Sequence, residues 1–266
     1  MNFAPAFLSE WNIIKNGDRG NMEQDLFYDS IAAYFDLIFP LTGKQIDFCA
    51  SEFGQLDNLY FLDAGCSTGK FANELGKKGA LGIGIDSNGE MIRLAREKYS
   101  SASLTFKKMD LLRVQEVFPA NYLDGIICFG NTLSYLNSQD EIKKFLKLCF
   151  SVLKPGGKLL VQILNYDYVF YNKVPELPPI ENEQVRFVQN YVLASEGAKK
   201  IMLETELLVK TDNQTFSNSV LLTPICRAEF EKMLLLTGFT DACFYAGFDK
   251  APFSGKHLPL IVSARK

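Results

Sequence analysis

Two acidic residues and a glycine-rich turn are the residues of this chain most suited to chemistry. Asp63 follows an apolar run, the turn Gly65–Gly69 comes directly after it, and a second apolar run ends in Asp86. A helical pattern of apolar residues lies between the turn and the second run. This order predicts strand, turn, helix and strand, which is half of a nucleotide-binding α/β fold. The acid that ends the second strand is placed to accept hydrogen bonds from two ribose hydroxyls.

The spacing of the glycines excludes two common phosphate-binding motifs. A dinucleotide-binding turn counted from Gly65 requires glycine at positions 67 and 70, where this chain has Ser67 and Lys70. The P-loop sequence G-x-x-x-x-G-K-[ST] does not occur either. We therefore expect a nucleoside ligand without phosphate. Gly65 is expected to turn the chain off the strand, and Gly69 to let the backbone approach the ligand.

Two segments carry a family resemblance. D-A-G-C-S-T-G at positions 63–69 resembles the first motif of class I S-adenosylmethionine-dependent methyltransferases, and L-K-P-G-G-K-L at positions 153–159 resembles the turn into their fifth strand. The resemblance is continuous over residues 55–165 and implies a doubly wound, mostly parallel α/β sheet of seven strands. It implies S-adenosyl-L-methionine as cofactor and S-adenosyl-L-homocysteine as product. The implied cofactor-binding residues are Asp63, Gly65, Cys66, Gly69, Asp86, Ser87, Met91, Asp110, Leu111, Phe129, Gly130, Asn131 and Leu133.

Within that set, two pairs have more specific predictions. Asp110 and Leu111 follow the third strand, where an acid and an apolar residue meet the adenine edge and face in the resembled family. Ser87 and Glu90 have the spacing of a capping box and predict the start of the next helix.

The chain divides into four predicted regions. Residues 1–54 are expected to form an N-terminal helical lid, 55–165 the cofactor-binding core, 166–222 an inserted antiparallel β-flap, and 223–266 a helix and strands that complete the core sheet. In the flap, apolar and polar residues alternate over 201–211, and strands are predicted at 185–194 and 215–222 as well. Thr223 is predicted to cap the following helix, which Gly238 ends.

The lid carries two tyrosines of interest. The pattern Y-D-x-I-A-x-Y-F-D at positions 28–36 resembles the lid helix of small-molecule methyltransferases related to glycine and sarcosine N-methyltransferases. This resemblance implies that Tyr28 and Tyr34 cover the cofactor. Aromatic residues at this spacing would also suit simple packing of the helix onto the sheet.

The acceptor side is predicted from position in the chain. Asn165, Tyr166 and Tyr168 follow the fifth strand, whose end borders the ligand crevice in a doubly wound fold, and they are the predicted catalytic residues. Arg186 on the flap could hold a carboxylate, or it could be an ordinary exposed arginine. Sequence features of enzymes that methylate nucleobases or protein arginines are missing after the fourth strand. A small molecule methylated on an amine nitrogen is favoured. O-methylation and a non-catalytic cofactor-binding protein are the alternatives.

Composition limits the possible partners. The net charge is −3 and no basic stripe occurs, which disfavours nucleic acid. No apolar stretch is long enough to span a membrane, and no secretory signal is visible at the N-terminus. The six cysteines form no C-x-x-C pair and His257 is the single histidine, so we expect a reduced, cytoplasmic protein without a metal site. The oligomeric state is left open.

Overall fold

The computed structural model describes residues 26–192 and 199–266. The strands are β1 (Tyr60–Ala64), β2 (Leu81–Asp86), β3 (Leu104–Lys108), β4 (Leu123–Cys128), β5 (Leu153–Leu164), β6 (Ile180–Glu181), β7 (Val185–Val192), β8 (Ile201–Val209), β9 (Gln214–Leu222), β10 (Thr240–Tyr245) and β11 (Pro259–Arg265). The helices are α1 (described over 26–31), α2 (Phe35–Ile38), α3 (Gly43–Phe53), α4 (Lys70–Gly76), α5 (Gly89–Tyr99), α6 (Gln139–Val152), α7 (Tyr166–Tyr171) and α8 (Arg227–Thr237). Short 3₁₀ helices cover Ala32–Tyr34, Leu111–Glu116 and Thr132–Tyr135.

A seven-stranded sheet in the order β10-β11-β5-β4-β1-β2-β3 forms the core. Its strands pair in parallel except β11, which is antiparallel to both β5 and β10. The predicted fold class, a doubly wound and mostly parallel sheet, is confirmed. Strand order reverses where β1 lies between β4 and β2, and ligands of such sheets bind at the carboxyl ends of the strands at this point.

Helices cover both faces of this sheet because its strands are apolar on both sides. In β1, Phe61 and Leu62 point to opposite faces and both are fully buried. Leu62 packs in a cluster with residues of α6 and α8, and Phe61 packs with residues of α3, α4 and α5. Within the described parts of the chain, no helix has the length and apolarity that crossing a membrane requires.

The β-flap is a separate antiparallel sheet in the order β6-β7-β8-β9. The predicted alternation is present in β8, where Ile201, Leu203 and Leu207 are buried while Glu204 and Glu206 are exposed. The short strand β6 was not predicted. The end of the first predicted flap strand and the turn near position 196 lie outside the described residues, as does the stretch 1–20.

The inner face of the flap packs on the lid and on α7. Phe27 and Ile31 of α1 share an apolar cluster with Phe187 and Leu207 of the flap. A second cluster joins Tyr166 of α7 to other inward-facing flap residues. The flap therefore has no core of its own and depends on the lid and the core domain to bury its apolar face.

Two helices begin later than the sequence predicts. The α5 N-cap is Asn88, whose side chain accepts a hydrogen bond from the Met91 amide at 2.9 Å, so the predicted cap at Ser87 is wrong. Helix α8 begins after Cys226 rather than at Thr223. The Thr223 hydroxyl instead donates to the Leu136 carbonyl at 2.6 Å, which ties the end of the flap to the loop after β4. Gly238 ends α8 as predicted.

A buried glutamate joins α3 to strands β5 and β11 of the sheet. The Glu52 side chain is 6% exposed and its carboxylate contacts Lys158 Nζ at 2.8 Å and Lys250 Nζ at 2.6 Å. The Ser263 hydroxyl donates to it at 2.7 Å. Burial raises the pKa of Glu52, but hydrogen bonds from these three residues outweigh burial and lower the pKa to about 2.

We predict that Glu52→Gln lowers the free energy of unfolding by about 1.5–3 kcal/mol at pH 7, because two half-buried ammonium groups lose a charged hydrogen-bond acceptor. Because the folded-state pKa of Glu52 is depressed, its contribution is full above pH 4.5 and is lost as the pH falls toward 2. Urea unfolding at several pH values measures both effects. The control is Glu74→Gln in the exposed pair with Lys77, which should change stability by less than about 1 kcal/mol. Equal effects of the two substitutions would contradict the prediction.

Candidate active site

The glycine-rich turn holds its shape for two different reasons. Gly65 has a φ of +83°, and a Cβ there would lie 2.5 Å from the Thr132 side chain, so glycine lets the turn meet the loop after β4. Gly69 has a φ of +79°, and its Cβ would lie 2.6 Å from Phe106 and 2.8 Å from Ala95. The glycine at 69 thus permits packing against β3 and α5. The close approach of the Gly69 backbone to a ligand stays a prediction.

Asp86 fixes the geometry of this turn. Its Oδ2 accepts a hydrogen bond from the Ser67 amide at 2.9 Å, and its Oδ1 accepts one from the Asn88 amide at 2.9 Å. The carboxylate is therefore held rigidly between the glycine-rich turn and the start of α5. An ionised carboxylate has about four acceptor positions, so a carboxylate at a strand end suits recognition of ligand hydroxyls.

Asp63 is a buried carboxyl with an unsatisfied oxygen. Its side chain is 3% exposed, and Oδ2 has no hydrogen-bond partner among the described residues. Burial, and secondly the negative charge of Asp86, raise the pKa of Asp63 to about 8. A buried carboxyl oxygen without a donor is unfavourable. The amino group of S-adenosylmethionine is a cationic donor, and the orphaned oxygen therefore fits this cofactor.

The lid is attached to the same region by polar contacts. Asn88 Nδ2 donates to Asp29 Oδ1 at 2.9 Å, and Thr68 Oγ1 donates to Asp36 Oδ1 at 2.7 Å. These bonds connect the lid to the start of α5 and to the glycine-rich turn. The lid therefore lies over the carboxyl ends of β1 and β2, where the ligand crevice is expected.

The two lid tyrosines have different environments. The Tyr28 and Tyr135 hydroxyls are 2.7 Å apart, and burial, Tyr135 and the nearby charge of Asp86 raise the pKa of Tyr28. Tyr34 packs against Phe216 of the flap, with ring centroids 6.4 Å apart. Tyr28 thus lies near the predicted cofactor site, whereas Tyr34 joins the lid to the flap.

The remaining predicted cofactor residues lie at or near the carboxyl ends of β1 to β4. The side chains of Cys66, Met91 and Leu133 are buried, while Ser87 and Asp110 are exposed and Leu111 is half-buried. The Asp110 carboxylate accepts from the Leu112 amide at 2.7 Å. Gly130 has a φ of +75° and open space where a Cβ would stand, and the Phe129 ring packs 4.9 Å from Phe248. Their contacts with a cofactor stay predictions.

Asn131 connects the loop after β4 to the end of β5. Its Oδ1 accepts from the Leu164 amide at 3.0 Å and from the Ser134 hydroxyl at 2.9 Å. Its Nδ2 donates to the Tyr166 hydroxyl at 3.1 Å. Asn131 therefore positions the tyrosine that opens α7.

The predicted acceptor-side residues differ in what they can reach. Asn165 is fully buried. Its side-chain Nδ2 donates to the His257 carbonyl at 2.9 Å, and its Oδ1 accepts from the backbone amide of Tyr168 at 3.2 Å. These bonds give Asn165 a structural role at the start of α7. Tyr166 is fully buried as well, and burial raises its pKa to about 12. Tyr168 is half-buried. Catalytic roles for the three stay predictions.

Arg186 points away from this region. It occupies an outward position of β7 between the buried residues Val185 and Phe187, and its guanidinium lies 3.7 Å from the Glu181 carboxylate on the neighbouring strand. The exposed-arginine alternative fits this geometry, and the predicted grip on an acceptor carboxylate has no support from it.

Sequence patterns missed two members of a tyrosine cluster. We use this name for Tyr28, Tyr135, Tyr166 and Tyr191, which come from the lid, the loop after β4, α7 and the flap. Tyr191 packs in the same apolar cluster as Tyr166 and Tyr135, and burial, followed by these two tyrosines, raises its pKa. The alternation 185, 187, 189, 191 could have identified Tyr191 as inward-facing. Tyr135 carries no such signal.

Comparisons with known proteins agree with this geometry. A family model described as a methyltransferase domain matches residues 61–157, from β1 to the start of β5. The YqeM protein of Bacillus subtilis, named a methyltransferase, is 32% identical over 144 residues. That match covers 52% of this chain and 56% of YqeM, so this chain spans about half the length of that relative. The ubiquinone/menaquinone biosynthesis C-methyltransferase UbiE of Yersinia enterocolitica is 29% identical over 72% of this chain and 83% of its own.

Solved structures share the fold over most of the chain. The CcbJ methyltransferase of Streptomyces caelestis has a TM-score of 0.74 at 19% identity, covering 90% of this chain and 97% of its own. CalS10 of Micromonospora echinaspora, described as an amino pentose methyltransferase with S-adenosylmethionine bound, has a TM-score of 0.63 at 18% identity, covering 89% and 96%. The chain has the fold of class I S-adenosylmethionine-dependent methyltransferases and carries a methyltransferase domain over residues 61–157, as its glycine-rich turn predicts.

We predict that Asp86→Asn weakens binding of S-adenosylmethionine by about 10- to 100-fold, since a hydrogen bond to a charged group contributes roughly 1.5–3 kcal/mol. Isothermal titration measures the affinity, and circular dichroism checks the fold. Asp124→Asn is the matched control. Asp124 accepts a hydrogen bond from the Tyr60 amide at the opposite end of the sheet, so its substitution should leave the affinity for S-adenosylmethionine unchanged. Wild-type affinity in the Asp86 variant would rule out its assignment to the ribose.

We predict that Asp63 makes the cofactor-free protein less stable as the pH rises. Its folded-state pKa is about 8, far above the ordinary value of 3.8, so stability is full at pH 4 and is lost as the pH rises through 8. The variant Asp63→Asn lacks this dependence. Urea unfolding at pH 5 and at pH 7 measures the free energy of unfolding of both proteins. From pH 5 to pH 7, the value for the variant minus that for wild type should rise by up to about 2–3 kcal/mol. Parallel pH profiles of the two proteins would refute the raised pKa.

Proposed function

We propose that this protein transfers a methyl group from S-adenosylmethionine to a small molecule, at an amine nitrogen. The observation that carries the proposal is the tyrosine cluster, which lies beside Asp86 and is enclosed by the lid, the core and the flap. It offers hydroxyl groups to an acceptor at a place next to the predicted ribose site. The enclosed position suits a small acceptor better than a macromolecular surface.

The residues of the chain act mainly by binding and orienting. When bound, the cofactor supplies a methyl group on a positively charged sulfur, which is already activated for transfer. Asp86 holds the ribose hydroxyls and Asp63 the amino group, so that the cofactor has one orientation. Orientation of two reactants contributes as much as roughly 7–11 kcal/mol to lowering a barrier. The lid and the flap exclude water from the reacting groups.

Neutral tyrosines favour an amine acceptor over a hydroxyl. Burial raises the pKa of Tyr28, Tyr135 and Tyr191, and raises that of Tyr166 to about 12, so these hydroxyls stay protonated at neutral pH. A protonated phenol is a weak base, and an acceptor hydroxyl needs a base to become a good nucleophile. An amine carries the required lone pair once its ammonium proton has passed to water, so it needs no base within the site. Tyr166 and Tyr168 remain our acceptor-side residues, with Asn165 positioning them.

A solved structure supports the proposal. CalS10, which is described as acting on an amino pentose, shares the fold over nearly the whole chain.

We also propose a cytoplasmic location, because buried free thiols fit a reducing compartment. These thiols belong to Cys49, Cys66, Cys128 and Cys149. We propose no nucleic-acid partner, because the net charge of −3 gives no attraction for phosphates.

The test is methyl transfer from S-adenosylmethionine with a labelled methyl group, offered in parallel to amino sugars, amino acids, simple amines, catechols, RNA and protein. We expect transfer to a small amine, with turnover at subsaturating cofactor reduced in the Asp86→Asn variant. Transfer only to RNA or protein would overturn the small-molecule proposal, and transfer only to catechols would overturn N-methylation. Cofactor binding without transfer to any class would indicate a non-catalytic protein.

A further inference from the structure

A single polar row crosses the inner face of the β-flap. Strand register sets Gln189 of β7 opposite Thr205 of β8, and Thr205 opposite Asn218 of β9. We call these three residues the polar row. The inward rows on either side of it are almost wholly apolar and consist of Phe187, Leu207 and Phe216 on one side and Tyr191, Leu203 and Val220 on the other.

The polar row lies where lid, core and flap meet. The apolar row with Phe187 packs on α1 of the lid, and the row with Tyr191 packs on Tyr166 of α7. The hydrogen bond between Tyr28 and Tyr135 joins the same two sides, because each tyrosine packs against one of these clusters. The polar row therefore faces the tyrosine cluster, on the acceptor side of Asp86.

Two hydroxyls on this face have no partner within the described chain. Thr205 Oγ1 and Tyr191 Oη are buried without a hydrogen bond among the residues the structure describes, and the two side chains are only 7% and 4% exposed. Leaving a buried hydroxyl unsatisfied is destabilising. Valine has nearly the shape of threonine and would suit a face that is otherwise rich in Leu, Val and Phe. Thr205 and Tyr191 thus offer hydrogen bonds to a molecule from outside the chain.

The charged side chains of β7 and β8 are all on the outer face of the sheet. Arg186 of β7 and both Glu204 and Glu206 of β8 occupy outward positions, and the described inner face of β7, β8 and β9 carries no charged side chain. A ligand on this face is therefore recognised by hydrogen bonds without a counter-charge from the flap. A carboxylate-bearing acceptor such as an amino acid would be left unpaired there, whereas a molecule with several hydroxyls would be satisfied.

We propose that the polar row and Tyr191 bind the hydroxyl groups of an amine-bearing polyol of the amino-sugar class, and that they determine acceptor specificity. This inference rests on the proposed function and names the substrate class of the same site. Gln189 and Asn218 are half-buried amides that both donate and accept, which suits sugar hydroxyls. Thr205 and Tyr191 fix the position of the ring through their unpaired hydroxyls, and the tyrosine cluster receives the amine.

The test uses Thr205→Val and Tyr191→Phe, which remove one hydroxyl each and keep the shape. Ser219→Ala is the matched control, because Ser219 is exposed on the outer face of β9 opposite Glu204. The probes are a panel of methyl glycosides of aminohexoses and aminopentoses, with glycine and catechol for comparison. Isothermal titration with S-adenosylhomocysteine bound measures probe affinity, and thermal unfolding measures stability.

We expect wild type and the control to bind an amino-sugar probe, and each of the two variants to bind it at least tenfold more weakly. Affinity for S-adenosylhomocysteine should be unchanged, and Thr205→Val should be as thermally stable as wild type or more so, because an unsatisfied hydroxyl is removed.

Unchanged probe affinity in both variants, or a wild type that binds glycine or catechol but no amino sugar, would overturn the inference while leaving the proposed function intact. Failure of wild type to bind S-adenosylhomocysteine would overturn the proposed function itself. A wild type that binds S-adenosylhomocysteine but none of the probes would also overturn the inference.

Discussion

The carboxylate of Asp86 is the constraint on which the rest of the site depends. It accepts backbone hydrogen bonds from Ser67 and from Asn88, and so fixes the glycine-rich turn relative to the start of α5. The lid attaches to both of these segments, through Thr68 and through the Asn88 side chain. The flap in turn buries its apolar face against the lid. A single strand-end acid thus sets the arrangement of core, lid and flap around the crevice.

The site also carries groups whose burial is unfavourable for folding. Asp63 Oδ2, Tyr191 Oη and Thr205 Oγ1 are the buried side-chain oxygens without partners in the part of the chain that the structure describes. Asp63 lies at the end of β1 on the cofactor side, and the other two lie on the flap. Folded proteins rarely leave such atoms unpaired, and when they do the explanation is often functional.

The tyrosine cluster is an uncharged group of polar side chains. Burial is the largest cause of the raised pKa of Tyr28 and of Tyr135, and for Tyr135 it outweighs the opposing effect of the hydrogen bond with Tyr28, so these hydroxyls act as neutral donors and acceptors. The charged residues of β7 and β8 lie on the solvent-facing side of the flap. A buried charge is found under α3, where the Glu52 carboxylate contacts two lysines.

The sequence by itself determined the fold class, the methyltransferase domain and the antiparallel flap. Local patterns suffice for these, because strand periodicity, the turn at Gly65 and the acid at position 86 are readable within short windows. The starts of helices were less predictable. Thr223 does not cap α8, because its hydroxyl is hydrogen-bonded to the Leu136 carbonyl in the loop after β4. Only the tertiary structure decided that Gly69 packs against β3 and α5, that Arg186 faces outward, and that Tyr135 and Tyr191 pack together next to the row of Thr205. These outcomes depend on which face of one element packs against another, and residues far apart in sequence acquire a common environment only through that packing.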